Sequence, residues 1–85
     1  MNHYLILCRS LTYAQRSAAA LERVGITARA LRCPGGISAE GCGYCVKIST
    51  QMLARSVEAL RRAAMEPKRI FAPDGDGGYE EVDWR

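Results

Sequence analysis

Nowhere in this 85-residue chain do apolar residues run unbroken for the roughly 18 positions a membrane-spanning helix needs, because Arg or Lys interrupts every stretch. The amino terminus, MNHYLILCRS, has no basic leader and no long apolar segment, its short run ending at Arg9. That excludes a secretory signal of ordinary form and predicts a cytoplasmic protein without a membrane partner. Histidine, tryptophan and phenylalanine occur once each. There is no internal repeat, no linker composition, and no second close pair of cysteines to complete a CxxC…CxxC zinc frame. The length suits one domain with a single modest core.

What is present is ordinary globular composition, about half apolar and a quarter charged. Charge is unevenly placed. Residues 1–73 hold eleven Lys/Arg against four Glu, whereas residues 74–85 hold five acids and one Arg. The sequence therefore predicts a basic domain over 1–73 and an acidic tail over 74–85 that docks on it or adds a strand.

HYLILC, residues 3–8, is a nearly continuous apolar run, the pattern of a central strand covered on both faces. Thr12 with Gln15 reads as a capping box for a helix whose apolar stripe is Leu11, Ala14, Ala18, Leu21 and Val24, closed by Gly25 with Ile26 folding back. ITARALR, residues 26–32, reads as a weak edge strand, and Tyr44, Val46 and Ile48 alternate as a third strand. A second helix follows, capped by Ser49 or Thr50, striped by Leu53, Val57, Leu60 and Ala64, and closed by Pro67. KRIFA, residues 68–72, is a fourth strand, and DGDGG at 74–78 a turn rather than a calcium loop. The order predicts an α+β fold: a ferredoxin-like βαββαβ sandwich with a four-stranded antiparallel sheet and two helices on one face.

Chemistry concentrates in ISAEGCGYCVKI, residues 37–48. In a reducing compartment Cys8, Cys33, Cys42 and Cys45 are expected as thiols, thiolates or metal ligands rather than structural disulfides. Four readings are open. Cys42 and Cys45 form a CxxC redox pair only if the chain bends at Gly43, since residues three apart on a strand point to opposite faces. They are half of a thiolate metal site if Cys33 and Cys8 complete it. Cys42 is a carrier thiol if the glycines on either side aim backbone N–H groups at an anionic adduct and Lys47 and nearby arginines favour thiolate. Or the cysteines are small buried hydrophobes, the reading that suits Cys8 best. His3 reads as a strand-face imidazole rather than a ligand. Outside thiol chemistry, the basic body with Tyr4, Tyr44 and Phe71 allows a nucleic-acid-binding sheet, but the aromatic RNP-type sequence is missing.

With those residues on view, the chain resembles the small selenium/sulfur carrier-like proteins over about residues 3–72. The likeness lies in LILCRSLTYAQRSAAALERVGI and in CPGGISAEGCGYCVKI, where a proline loop and an Ile-Ser pair lead to a Cys-Gly opening the next strand. The resemblance implies that Cys42 is the carrier residue, followed by Gly43, with Pro34 and Ser38 on the approach. Gly35 and Gly36 stand where relatives often have an arginine, which leaves Arg32 as the nearest substitute. The function implied is carriage of sulfur or selenium between a protein donor and a protein acceptor, by an accessory protein more than an enzyme. No cofactor is implied and the oligomeric state is open. Expected site residues are Cys42 as the adduct-bearing group and Cys45 as the thiol that resolves it. Gly41, Gly43, Arg32, Lys47 and Ser38 are expected to stabilise the adduct.

Overall fold

The computed structural model describes residues 3–34, 37 and 43–84. Its elements run β1 (His3–Cys8), α1 (Leu11–Arg23), β2 (Arg29–Arg32), β3 (Tyr44–Ser49), a 3-10 turn (Thr50–Met52), α2 (Leu53–Arg62), β4 (Ile70–Pro73) and β5 (Tyr79–Val82). The five strands form one sheet in the order β2-β3-β1-β4-β5. Every neighbouring pair is antiparallel. The expected four-stranded sheet is thus corrected to five: Tyr79–Val82 of the acidic tail pairs along β4, with Tyr79 opposite Pro73 and Val82 opposite Ile70. Glu80 and Glu81 hide the strand's alternation, and charges of this kind are what an edge strand carries to discourage pairing with other chains.

β1 lies in the middle, as its unbroken apolar run requires, and successive residues point to opposite faces. Ile6 and Cys8 join Val46, Ile48 and Ile70 in a core closed by Ala14, Ala20 and Leu21 of α1 and Val57 and Leu60 of α2. Both helices therefore cover the same face. Leu5 turns the other way into a smaller cluster with Ile37, Cys45 and Phe71, and Leu7 packs against it.

The helix ends show where local reading and structure part. Ser10, not Thr12, caps α1: its hydroxyl accepts from the Tyr13 amide at 3.1 Å. Gly25 closes α1 at φ +85°, and Ile26 donates back to the Leu21 carbonyl at 3.0 Å while its side chain is buried. α2 makes no side-chain cap bond at Met52, and the residue before the 3-10 turn, Ser49, makes none either. The helix ends at Arg62 rather than at Pro67; Ala64 turns the chain at φ +62° and Met65 donates to the Leu60 carbonyl at 2.8 Å. An alanine there costs about 1 kcal/mol or more in backbone strain relative to glycine.

A disulfide-clamped loop on the open face of the sheet

Residues 33–43 connect β2 to β3, and the register of those strands decides what the loop's base can do. Arg32 pairs with Tyr44, and the ladder continues one step further, the Cys33 amide donating to the Gly43 carbonyl at 3.2 Å. Cys33 and Cys45 are then diagonal neighbours on the face away from the helices. Their Cα atoms are 5.2 Å apart, and their sulfurs are joined in a disulfide closing a sequence separation of 12. This Cα spacing is ordinary for a bridge. The expectation of unpaired cysteines fails for these two because neighbouring antiparallel strands deliver both sulfurs to the same spot. The bridge also differs from the CxxC redox reading, since Cys45 pairs with Cys33.

A second fastening holds the loop. Ile37 is only 4% exposed and packs with Leu5, Cys45 and Phe71. Its amide donates to the Pro34 carbonyl at 3.4 Å, a long bond closing a short turn. Cys45 is 0% exposed as a result: it packs neither against the helices nor in water, but under the loop's own isoleucine. Cys33 is partly exposed. Gly43 has φ +154°, a value side-chain-bearing residues rarely take. A Cβ built there would lie 3.7 Å from Cys33 Sγ, ordinary contact, so backbone conformation rather than space demands glycine.

Of the nearby cations, Arg32 pairs with Tyr44 and turns to the helix side, its exposed guanidinium 5.6 Å from the centre of the Tyr44 ring. Lys47 is exposed two residues beyond Cys45 on the same face. Towards the opposite end of β1, His3 Nε2 lies 3.2 Å from the Tyr79 hydroxyl. Burial, and after it the Lys47 charge, push the His3 imidazole below its ordinary pKa.

Cys8 belongs elsewhere. It faces the helices, is 4% exposed, and burial pushes its thiol up to about 11, against a hydrogen bond from Ser17 that acts the other way. It is a packing group, as the sequence suggested. Its position across the sheet also dissolves the four-cysteine metal alternative, because Cys8 cannot share an ion with two sulfurs on the other face that are already bonded to each other. No His, Cys, Asp or Glu cluster of metal-holding geometry occurs among the described residues. The aromatics of the nucleic-acid reading are split in the same way. Tyr4 and Tyr44 border the helix-side core, whereas Phe71 is buried on the opposite face, so they form no common stacking platform.

Of the predicted site residues, the structure puts Gly43 and Cys45 at the loop's base and Lys47 two residues along β3 on the same face as Cys45, whereas Arg32 turns to the opposite face. Cys42, Gly41 and Ser38 lie outside the described residues. The sequence reading missed Cys33 as the partner of Cys45 and Ile37 as the loop's anchor. A lone isoleucine in a Gly- and Pro-rich segment was the available signal for the second.

The fold and site define a small α+β chain with the Cys33–Cys45 disulfide and Ile37 on the sheet face opposite its two helices. Residues 3–72 match the family model described as "Putative Se/S carrier protein-like", and the chain belongs to that family. No curated protein and no solved structure matches it.

Proposed function

We propose that this chain carries sulfur or selenium as a persulfide-type adduct on Cys42, received from a donor protein and passed to an acceptor protein. The observation that carries this reading is the disposition of the other three cysteines. Cys33 and Cys45 are joined to each other, and Cys8 is buried among hydrocarbon with its thiol held neutral. That leaves Cys42, flanked in sequence by Gly41 and Gly43, as the loop's thiol outside the bridge. Lys47 adds positive potential that favours thiolate and an anionic adduct, and the glycines and Ser38 supply donors without bulk. The role is that of a carrier rather than an enzyme, working in the cytoplasm. We read β1 to β4 as the split βαβ sandwich, extended at one edge by β5.

Intact-protein mass spectrometry after exposure to a low-molecular-weight persulfide tests the proposal. The expected result is uptake of about 32 Da per added sulfur, abolished in Cys42→Ser and retained in Cys45→Ser and Cys8→Ala. Uptake that survives Cys42→Ser would overturn the assignment.

A further inference from the structure

Away from the disulfide, a cleft of about 290 Å³ opens where the end of β1, the first turns of α1 and the segment between α2 and β4 meet. We propose that this cleft binds a small amphiphilic carboxylate, a molecule with an apolar body of roughly eight to ten carbons and one anionic end. Such binding is independent of sulfur carriage.

The cleft follows from the turn that ends α2. Ala64, at φ +62°, and the bond from the Met65 amide to the Leu60 carbonyl turn the chain off the helix. The Leu7 amide, donating to the Arg69 carbonyl at 3.0 Å, then fixes it beside β1. Residues 65–69 therefore line the cleft together with Tyr13 and Ser17 of α1. Much of the lining is hydrocarbon, from Ile6, Leu7, Met65 and Pro67. Met65 brings an unbranched, flexible side chain that adjusts to what it packs against. Cys8 and Ser17 also contribute, and both are buried and uncharged, burial pushing the Cys8 thiol up to about 11. Such a lining suits an apolar body and penalises a charge carried inside. An apolar cavity of about 150 Å³ takes benzene, which sets the scale for this larger one.

The charged groups fix the sign of the ligand's other end. Arg9, Glu66, Lys68 and Arg69 line the cleft. Glu66 is paired with Arg61, and Arg69 with Glu81. Arg9 and Lys68 are exposed and make no ion pair among the described residues. Arg9 is also held in position: its guanidinium lies 4.8 Å from the centre of the Tyr13 ring, and Tyr13 itself lines the cleft. Contact through the guanidinium face leaves its N–H groups to grip a carboxylate in the plane. Arg9 directly precedes Ser10, the cap of α1, so the positive end of that helix adds to the same side. Lys68 also borders a neighbouring hollow that Glu81 and Asp83 line, which makes Arg9 the principal contact.

The test titrates the isotope-labelled full chain with sodium octanoate and reads amide shifts by heteronuclear NMR. Saturable shifts are expected at residues 6–9, 13, 17 and 65–69, with a Kd of about 1 mM or tighter. Octanol, the same chain without the charge, should bind about tenfold more weakly than octanoate. Arg9→Gln should weaken octanoate binding by about the same factor, and Arg9→Lys should recover part of the loss. Because Arg9 is exposed, the free variant should keep the wild-type spectrum outside its own neighbourhood. The absence of saturable shifts, or shifts centred elsewhere, would overturn the proposal. Octanol binding as tightly as octanoate, or undiminished binding to Arg9→Gln, would overturn it as well. The comparison of octanoate with octanol uses wild-type protein alone, so it decides even if a variant folds poorly.

Discussion

Cys8 and Cys45 sit on adjacent strands one residue out of register, Cys8 opposite Tyr44 and Cys45 opposite Leu7, and that offset sends their sulfurs to opposite sides of the sheet. Both are buried, yet their chemistry differs because, among the described residues, the open face alone carries a second cysteine. Cys8 should therefore behave as hydrocarbon. With its thiol pushed up to about 11, alkylation of the folded, reduced chain by iodoacetamide at pH 8 should proceed at least about a hundredfold more slowly at Cys8 than at a free model thiol. Peptide-resolved mass spectrometry checks this, and labelling at the model rate before unfolding would contradict it. The packing role of Cys8 was legible from its place at the end of an apolar strand. The partner of Cys45 was not, because a bridge across 12 residues depends on strand register, which local composition does not display.

At the scale of elements, the apolar stripes of both helices and the alternation of β3 were plain, since each repeats a period set by backbone geometry. The caps were less so. Ser10 and Thr12 both offer a hydroxyl near the start of α1, and the choice fell to where the chain leaves β1 rather than to residue type. The loop over residues 33–43 reads in sequence as a glycine-rich connector, but Ile37 makes it part of the fold. Replacing Ile37 with Ala should cost about 2–4 kcal/mol of unfolding free energy, measured by urea denaturation of the oxidised protein. It should also speed proteolytic cleavage between residues 33 and 43. An unchanged urea midpoint would show that Ile37 does not anchor the loop.

Across the whole molecule, the acidic tail completes the sheet instead of trailing from it. Glu81 reaches Arg69 at 3.0 Å, and its carboxyl is held below the usual range chiefly by that hydrogen bond. The pair is exposed, so its contribution is small and salt-sensitive. Apolar contact matters more: Val82 and Trp84 pack on the margin of the helix-side core, and the Arg61 guanidinium lies 5.9 Å from the centre of the Trp84 ring. Truncation after residue 78 uncovers the β4 edge along with this margin. It should lower stability by about 1–3 kcal/mol and promote association of the exposed edges, visible as a lower thermal midpoint and a larger species in size-exclusion chromatography. A truncated chain as stable and monodisperse as the full one would contradict that role. The first four strands were legible in chain order and type. The fifth was obscured because Glu80 and Glu81 fall where alternation would have placed an apolar residue.

The account turns on which sulfur atom takes the cargo. Tryptic cleavage after Arg32 and Lys47 places Cys33, Cys42 and Cys45 in a single peptide, so fragmentation of that peptide from persulfide-loaded wild-type protein locates the added atom directly. The account predicts it on Cys42, with Cys33 and Cys45 unmodified; an added sulfur found on Cys8, or only on Cys33 or Cys45 when Cys42 is free, would contradict it.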